Sequence, residues 1–308
     1  MEKRIKKISI ITLTYNNWRL LEQAFLSLST QELPKGVFIE YFVVDDGSID
    51  FNVNAIETMA EQYGIDKKYT FSIKQNSENI GTVASFNRAI KSSNGDLIIP
   101  LAGDDSLAND TVIKDITNYF DFNDALLLTG LRIPVVDGVP YKEKVMPECK
   151  YHYMFEQSNQ ASLYKQLCLK NNIISGASTY YHRDVFNIVG MFDESYRLME
   201  DFPFYVSSIS KGIKIHLLKK PTLLYSTHGL SNQSTVNPLL QKDHVRLMKN
   251  IISQRDFSYY ELRCLYFNEV LDSFERKSLF NMIKYIDCLL LRRYGSLKKS
   301  IIKRVVSK

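Results

Sequence analysis

The sequence predicts an α/β protein built on a mostly parallel sheet flanked by helices. Over the first 131 residues, short β-branched and apolar segments alternate with stretches of helical spacing. Strands and helices that alternate in this way form parallel sheets with helices on both faces. Polar residues follow three of the predicted strands, and the carboxyl edge of such a sheet is where α/β proteins bind ligands. We therefore expect a ligand site at that edge.

The elements are predicted from runs of β-branched residues and from apolar residues at helical spacing. In the first 131 residues, strands are expected at 7–13, 38–44, 69–74, 97–101 and 125–131, and helices at 20–28, 53–63, 83–92 and 110–120. Further on, we expect helices at 164–169, 185–189 and 203–211, strands at 213–218 and 222–225, and a small-residue stretch at 176–183 that becomes strand-like. The pattern indicates one α/β domain over residues 1–236, with two halves that meet near residue 131.

From residue 237 the pattern becomes helical, with helices expected after 237, at 259–276 and at 279–293. The last stretch is basic and partly amphipathic, with Arg and Lys interspersed among Leu and Ile. It is typical of a solvated helical face, of a contact in a homo-oligomer, or of peripheral attachment to an anionic membrane surface. The sequence leaves these three alternatives open for residues 237–308.

Composition excludes several classes of protein. Apolar residues make up 45% of the 308 residues and charged residues 24%, which is typical of a globular chain rather than a disordered one. The four cysteines are scattered without a CxxC motif, so we expect reduced thiols and no zinc site. The basic N-terminus lacks a signal-peptide cleavage site, and no apolar run reaches the ~18 residues of a membrane span. These features favour a cytoplasmic protein, or one bound to the inner face of the cell membrane. The basic residues concentrate at the two ends without aromatic–basic motifs, which argues against nucleic-acid binding.

Asp104 and Asp105 directly follow the predicted strand 97–101. Adjacent carboxylates repel each other, and a divalent cation, a sugar hydroxyl or a nearby base would relieve that repulsion. The simpler interpretation is a helix N-cap, for which Asp is well suited. Two further polar loops, Thr14-Tyr15-Asn16 and Asp45-Asp46-Gly47, follow other strands of the same predicted sheet. Three such loops on one edge favour a functional site.

The order of these motifs resembles that of the nucleotide-sugar-dependent glycosyltransferases of family 2, which are inverting enzymes with the GT-A fold. The resemblance covers residues 7–230, most of the chain, and it depends on five segments in the family's order. They are 8–16, 43–50, Asn79-Ile80-Gly81 with Asn87, 94–105, and 190–194 followed by Glu200-Asp201. It implies that residues 1–131 bind the nucleotide sugar, that 132–236 bind the acceptor, and that 237–308 form a helical extension of the GT-A domain.

The resemblance also implies roles for individual residues. The nucleotide sugar would be a UDP-sugar as the first candidate. The residues in contact with it would be Thr14, Tyr15, Asn16, Asp45, Asp46, Asn79, Gly81, Asn87, Arg88 and Asp104. Mn²⁺ or Mg²⁺ would be held by Asp105 with Asp104, and by His228, for which a structural role is the alternative. Gly176 and Ala177 would line the acceptor pocket, where tight packing is the alternative.

Inversion needs a base on the face of the sugar opposite the diphosphate. The resemblance assigns this role to Asp201, beside Glu200; an N-cap for the helix that begins near Pro203 is the alternative. The acceptor would be a hydroxyl of a glycan or of a lipid-linked glycan, as in polysaccharide biosynthesis, and the transferred sugar a hexose or an N-acetylhexosamine.

Three positions depart from the family's usual pattern. Ala102 stands where relatives carry a third acid, Phe86 stands where they carry Arg, and Ser226 replaces a basic residue. Each change removes a group that would help to hold a metal or a diphosphate.

Two other functions remain as alternatives. A nucleotidyltransferase would need a Gly-rich loop after the first strand, and Thr14-Tyr15-Asn16-Asn17 contains no glycine. A nucleotide-sugar-binding protein without catalysis would not need both Asp104-Asp105 and Glu200-Asp201.

Overall fold

The computed structural model describes residues 5–226 and 237–291. The chain divides into two compact units, Met1–Leu240 and Gln241–Lys308. Within the described residues, no helix is both long and apolar enough to span a bilayer.

The first unit is organised around one sheet of nine strands. They are β1 (Lys7–Thr14), β2 (Phe38–Asp45), β3 (Thr70–Gln75), β4 (Leu97–Pro100), β5 (Ser106–Leu107), β6 (Leu127–Val136), β7 (Val139–Pro140), β8 (Thr179–His182) and β9 (Ile215–Ser226). The order across the sheet is β3-β2-β1-β4-β8-β6-β9-β5, and β7 pairs with β6. β1, β2, β3 and β4 are mutually parallel, as are β6 and β9, whereas β8 runs antiparallel to both of its neighbours. The predicted α/β class with a mostly parallel sheet is confirmed.

The helices pack beside this sheet because one face of each is apolar. In the α/β part of the chain they are α1 (Leu21–Ser29), α2 (Val53–Gln62), α3 (Ile65–Lys68), α4 (Thr82–Ser92), α5 (Val112–Phe122), α6 (Gln160–Leu169), α7 (Asp184–Val189) and α8 (Asp201–Ser210). The principal core joins Phe25 and Leu28 of α1, Tyr41 of β2, Ile99 of β4 and Ile116 of α5, all of which are fully or almost fully buried. This core holds the strand ends of β1, β2 and β4 in register, and so it positions the loops that follow them.

The structure joins two of the predicted strands and interrupts a predicted helix. The strands expected at 213–218 and 222–225 form the single strand β9, and its pairing with β6 shifts register around Gly130 and Leu131. The shift accommodates Pro221, which has no N–H to contribute to a regular ladder. The helix expected over 259–276 is interrupted, because Asp272 begins a new helix with a capping box formed with Glu275.

The helices from residue 238 onward are α9 (Pro238–Gln254), α10 (Tyr259–Leu265), α11 (Ser273–Lys277) and α12 (Leu279–Lys284), and a π-helical turn covers Tyr266–Val270. Residues 286–291 are again helical. The second unit has a small core of its own formed by Phe267, Leu271, Tyr285 and Cys288. The predicted helical extension is therefore present in the described residues.

Candidate functional site

The loops that follow β1, β2 and β4 border a cavity of about 650 Å³ at the carboxyl edge of the sheet. Its polar lining comes from distant parts of the chain and consists of Thr14, Tyr15, Asn17, Asp46, Asn79, Thr82, Ser85, Arg197, Glu200 and Asn237. Its apolar and small lining residues include Ile11, Leu13, Gly81, Phe86, Pro100, Leu101, Ala102, Gly176, Ala177, Tyr181 and Leu198. The cavity is large enough for a small organic ligand and has the mixed lining typical of ligand sites.

Asp45 ends β2 and is fully buried behind this cavity. Its Oδ1 accepts hydrogen bonds from the hydroxyls of Thr14 and Ser48, and its Oδ2 accepts them from the Ser48 N–H and from Gln75. These four bonds occupy the acceptor capacity of a carboxylate. Asp45 therefore holds the loops after β1 and β2 together, and it is not part of the cavity lining. Its predicted contact with the nucleotide sugar stays a prediction.

Asp46, the next residue, reaches the cavity. Its carboxylate accepts hydrogen bonds from Asn76 and Ser85 and from the backbone N–H groups of Ile80 and Gly81. Asp46 thus orders the loop before α4 while it forms part of the lining.

Gly47 allows that loop to approach closely. A Cβ at Gly47 would lie 2.5 Å from the carbonyl carbon of Glu78, and its φ of +80° is one that other residues rarely adopt. Glycine is required at this turn for both reasons.

The loop after β1 places two of its three predicted residues on the lining, Thr14 and Tyr15. Tyr15 is half exposed, so its ring is accessible to a ligand. Asn16 instead turns away with a left-handed φ of 57°, and its N–H donates to Ser48 Oγ. Asn17, which the sequence analysis did not single out, lines the cavity in its place.

Arg197 also lines the cavity, and the sequence analysis missed it. Its guanidinium donates to the side-chain and backbone oxygens of Asn79 at 2.7 and 3.1 Å. Its aliphatic part crosses Gly81, where an added Cβ would lie 2.9 Å from Arg197 Cγ. Among the described residues that line the cavity, Arg197 is the one with a permanent positive charge. No local pattern identified it, since it lies 118 residues from Asn79 in the chain.

Asn87 and Arg88 of α4 do not line the cavity. The buried Asn87 side chain bonds to the backbone of Phe192, through both its amide nitrogen and its oxygen, and to Glu194. Arg88 is exposed and donates to Asn76. In the structure, Asn87 attaches α4 to the segment before α8. The expectation that both residues bind the nucleotide sugar stays a prediction.

Asp105 is buried, with 1% of its surface exposed. Its Oδ1 accepts a hydrogen bond from the Ser226 N–H at 2.8 Å, and its Oδ2 has no hydrogen-bond partner among the described residues. Burial raises the pKa of Asp105 to about 8, the Ser226 N–H opposes this, and the charge of Asp104 adds to it. A buried carboxyl group with an oxygen that accepts no hydrogen bond is stable when it is protonated or when a cation balances its charge.

The other predicted metal ligands add less. Asp104 is half-buried beside Asp105, and neither residue belongs to the cavity lining. Residues 5–226 and 237–291 contain no group of three His, Cys, Asp or Glu side chains that could hold an ion. His228 and the basic segment from Arg292 lie outside the described residues. The described part of the site thus provides two adjacent carboxylates, and Oδ2 of Asp105 has no hydrogen-bond partner there.

Glu200 and Asp201 stand at the start of α8, next to the small residues Gly176 and Ala177. Asp201 Oδ2 accepts a hydrogen bond from the Gly176 N–H at 3.0 Å, and Oδ1 accepts one from Phe202. Glu200 lines the cavity, and Asp201 lies beside it. Burial raises the pKa of both carboxyl groups, and the charge of Asp201 raises that of Glu200 further.

The fold matches that of solved glycosyltransferase structures. The sheet order and flanking helices are those of the GT-A fold, and the structure of S. aureus TarS residues 1–349 in complex with UDP superposes over 92% of this chain and 79% of that chain, with a TM-score of 0.58 and 22% identity. A further TarS structure is in complex with UDP-GlcNAc. A mannosyltransferase from Pyrobaculum calidifontis, in complex with GDP-Man and Mn²⁺, covers 83% of this chain and 66% of its own, with a TM-score of 0.54 and 13% identity.

The sequence comparison identifies the family. Residues 9–189 match the family model described as glycosyl transferase family 2, and the chain belongs to this family. An uncharacterised glycosyltransferase of Mycoplasma pneumoniae is 35% identical over 108 residues. That match spans 35% of this chain and 35% of the relative's length. The predicted resemblance is confirmed.

Proposed function

We propose that this protein transfers a sugar from a nucleoside diphosphate to a hydroxyl of a glycan or lipid-linked acceptor, with inversion at the anomeric carbon. A UDP-sugar is the first candidate for the donor. A hexose or an N-acetylhexosamine is the proposed sugar. One observation carries this proposal: a single cavity joins the loops after β1, β2 and β4 to Glu200 at the start of α8. A donor and an acceptor can meet there, with carboxylates from both halves of the domain within reach.

On the donor side, we assign the nucleoside to the cavity wall formed by Thr14, Tyr15 and Asp46. The Tyr15 ring supplies a face on which a base can stack, and the Asn79 side chain supplies polar contacts. Arg197 is the cation we assign to the diphosphate, because a guanidinium binds phosphate oxygens in a bidentate manner. Arg197 would then replace the arginine that relatives carry where this chain has Phe86.

On the metal side, Asp105 fits a divalent cation, because its buried Oδ2 has no hydrogen-bond partner within residues 5–226 and 237–291 and its carboxyl needs a counter-charge. Asp105, with Asp104 beside it, would hold Mn²⁺ or Mg²⁺, and His228 is a further candidate ligand. When bound, such an ion would neutralise charge on the departing diphosphate.

On the acceptor side, Asp201 is the proposed base. It would take the proton of the acceptor hydroxyl while the oxygen bonds to the anomeric carbon and the bond to the diphosphate breaks. The Gly176 and Phe202 N–H groups orient its carboxylate, and each oxygen keeps acceptor capacity for that proton. A raised pKa makes the ionised carboxylate a stronger base. Gly176 and Ala177 leave room for the acceptor.

Incubation of the purified protein with UDP-GlcNAc, UDP-glucose and GDP-mannose, with and without Mn²⁺, tests the proposal. We expect a UDP-sugar to raise the unfolding temperature and to release UDP with inverted sugar products. Release of inorganic diphosphate from a nucleoside triphosphate and a sugar phosphate would instead identify a nucleotidyltransferase. Donor binding without turnover by any acceptor or water would identify a non-catalytic binding protein.

Arg197→Ala is expected to raise the Kd of the UDP-sugar by about tenfold or more, since a hydrogen bond to a charged group contributes about 1.5–3 kcal/mol. Isothermal titration calorimetry measures this change. Arg88→Ala is the matched control, because Arg88 is an exposed arginine outside the lining, and we expect it to change the Kd by less than about threefold. A larger loss in Arg88→Ala than in Arg197→Ala would return the phosphate contact to Arg88.

A further inference from the structure

The second unit presents an apolar stripe on its outer face. Leu279 and Ile283 lie on α12, Ile286 and Leu290 lie on the helical residues 286–291 after the turn at Tyr285, and the four are 75%, 66%, 58% and 58% exposed. Phe280 beside them is 72% exposed. The opposite side of the same segment carries the buried residues Tyr285 and Cys288, which belong to the core of the unit. The segment therefore has apolar residues on both sides.

This arrangement is unlike that of an ordinary surface helix, whose outer face is polar. A contiguous patch of exposed apolar residues marks a surface that binds another protein or a membrane. Between residues 279 and 291, only Lys284 and Asp287 carry a charge. The stripe thus needs a partner, and the neighbouring charges indicate its chemistry.

A second cavity, of about 600 Å³, lies within the same unit and combines cations with aromatic rings. Its charged lining residues are Arg255, Arg263 and Lys284, and its aromatic ones are Phe257, Tyr259, Tyr266 and Tyr285. Among the described residues that line it there is no carboxylate. Lys284 belongs to this lining and also lies 5.8 Å from the ring of Phe280. The cavity and the stripe are therefore parts of one continuous surface, which we call the α12 face.

The sequence that follows is also rich in positive charge. Residues 288–308 contain seven Lys and Arg and no Asp or Glu. Positive charge beside exposed apolar and aromatic residues is the combination that binds the interface of an anionic bilayer. Two copies of the chain paired through this face would bring their cations together, which disfavours self-association.

We propose that the α12 face docks on an anionic lipid bilayer, with the apolar stripe in the interface and Arg255 and Lys284 against lipid phosphates, whereas Arg263 pairs with Asp287 at 3.4 Å. Tyr and Phe side chains around the cavity are suited to the boundary between headgroups and acyl chains. This inference does not depend on the proposed sugar transfer, because it concerns a surface of the second unit alone.

Co-sedimentation of the full chain with vesicles tests the proposal. We expect binding to vesicles of equal parts phosphatidylcholine and phosphatidylglycerol to exceed binding to pure phosphatidylcholine by about tenfold or more, and to weaken as salt is added. Phe280→Ser combined with Ile283→Ser is expected to lower binding to the mixed vesicles by about tenfold or more, since both side chains are lost from the interface. Lys284→Glu is expected to reduce the preference for anionic lipid.

Phe122→Ser is the matched control, because Phe122 is 80% exposed at the end of α5 in the first unit. It is expected to leave vesicle binding unchanged. Equal binding by the wild type and the Phe280/Ile283 double variant, or no binding of the wild type to anionic vesicles, overturns the proposal. A dimer that is lost in the double variant, without vesicle binding, identifies a self-association surface instead. Binding of inorganic diphosphate without vesicle binding identifies a small-anion site, and either result also overturns the bilayer as partner.

Discussion

Asp201→Asn is expected to lower the rate of sugar transfer by roughly 100- to 10,000-fold, the range over which a general base contributes. The amide cannot accept the proton of the acceptor hydroxyl, yet its oxygen can retain one of the two bonds that Gly176 and Phe202 donate. Donor binding should change little, because Asp201 is not part of the cavity lining. Steady-state transfer and calorimetric titration of the UDP-sugar separate the two quantities.

Glu200→Gln is the control for that assignment. Glu200 is the adjacent carboxyl, it lines the cavity, and burial also raises its pKa. We expect this change to lower the rate by less than about tenfold, which is the effect of losing one hydrogen bond to the bound sugar. If Glu200→Gln abolishes transfer and Asp201→Asn does not, the base is Glu200.

The pH dependence of sugar transfer follows from the raised pKa of Asp201. Burial raises the pKa of Asp201 above its ordinary value of 3.8, so the carboxylate form appears only at a correspondingly higher pH. The rate should therefore rise with pH through that raised value, and acidification should inactivate the enzyme earlier than an ordinary aspartate would predict. The folded state binds this proton more tightly than the unfolded state, so the contribution of Asp201 to stability falls over the same rise in pH.

Asp105→Asn is expected to remove the effect of Mn²⁺ on donor binding. In the wild type, we expect Mn²⁺ to lower the Kd of the UDP-sugar; in the variant, the values with Mn²⁺ and with EDTA should coincide. A neutral amide keeps the shape of the side chain and the bond from the Ser226 N–H, but it is a poor ligand for a hard cation. Calorimetry with and without EDTA measures this loss.

The same variant should be more stable than the wild type in EDTA at pH 8. The pKa of Asp105 rises from 3.8 to about 8 on folding, so the folded protein loses stability as the pH increases across that range. The variant lacks this loss, and we expect its advantage to exceed about 1 kcal/mol, since each pKa unit corresponds to about 1.4 kcal/mol. Thermal unfolding at pH 5 and pH 8 tests the sign.

Asp110→Asn supplies the matched control, because it removes the same charge at an exposed position a few residues away. It should leave both the Mn²⁺ response and the pH dependence as in the wild type. An undiminished Mn²⁺ effect in Asp105→Asn would contradict the assignment of Asp105 as a metal ligand.

The alternation of strands and helices could be predicted because it depends on local patterns. Apolar runs such as 97–101 and helical spacing such as 83–92 report the faces that must be buried, whatever surrounds them. The α/β class and the mostly parallel sheet followed from those patterns and are confirmed. The family resemblance depended instead on the ordered motifs, such as 8–16 and 43–50, and it is confirmed as well. The division of β9 into two strands was wrong, because Pro221 interrupts the pattern without interrupting the strand.

The roles within each motif could not be derived in the same way. Asp45 and Asp46 are chemically identical neighbours and each accepts four hydrogen bonds from described residues, yet only Asp46 is part of the cavity lining. Strand geometry points successive side chains in opposite directions, and only the packing of Ser48, Gln75 and the loop before α4 decides which side is the ligand side.

The sequence by itself determined the order of the elements, the sheet edge at which the polar loops gather, and the carboxylates that gather there. Only the tertiary structure decided which of these groups are free for chemistry. It shows Asn87 bonded to Phe192 and Glu194, and among the residues it describes it leaves one buried oxygen of Asp105 without a hydrogen-bond partner. It also brought Arg197 across Gly81 to Asn79, over a separation of 118 residues. The physical reason is that hydrogen-bond satisfaction and burial depend on neighbours distant in the chain, which no local pattern of residues records.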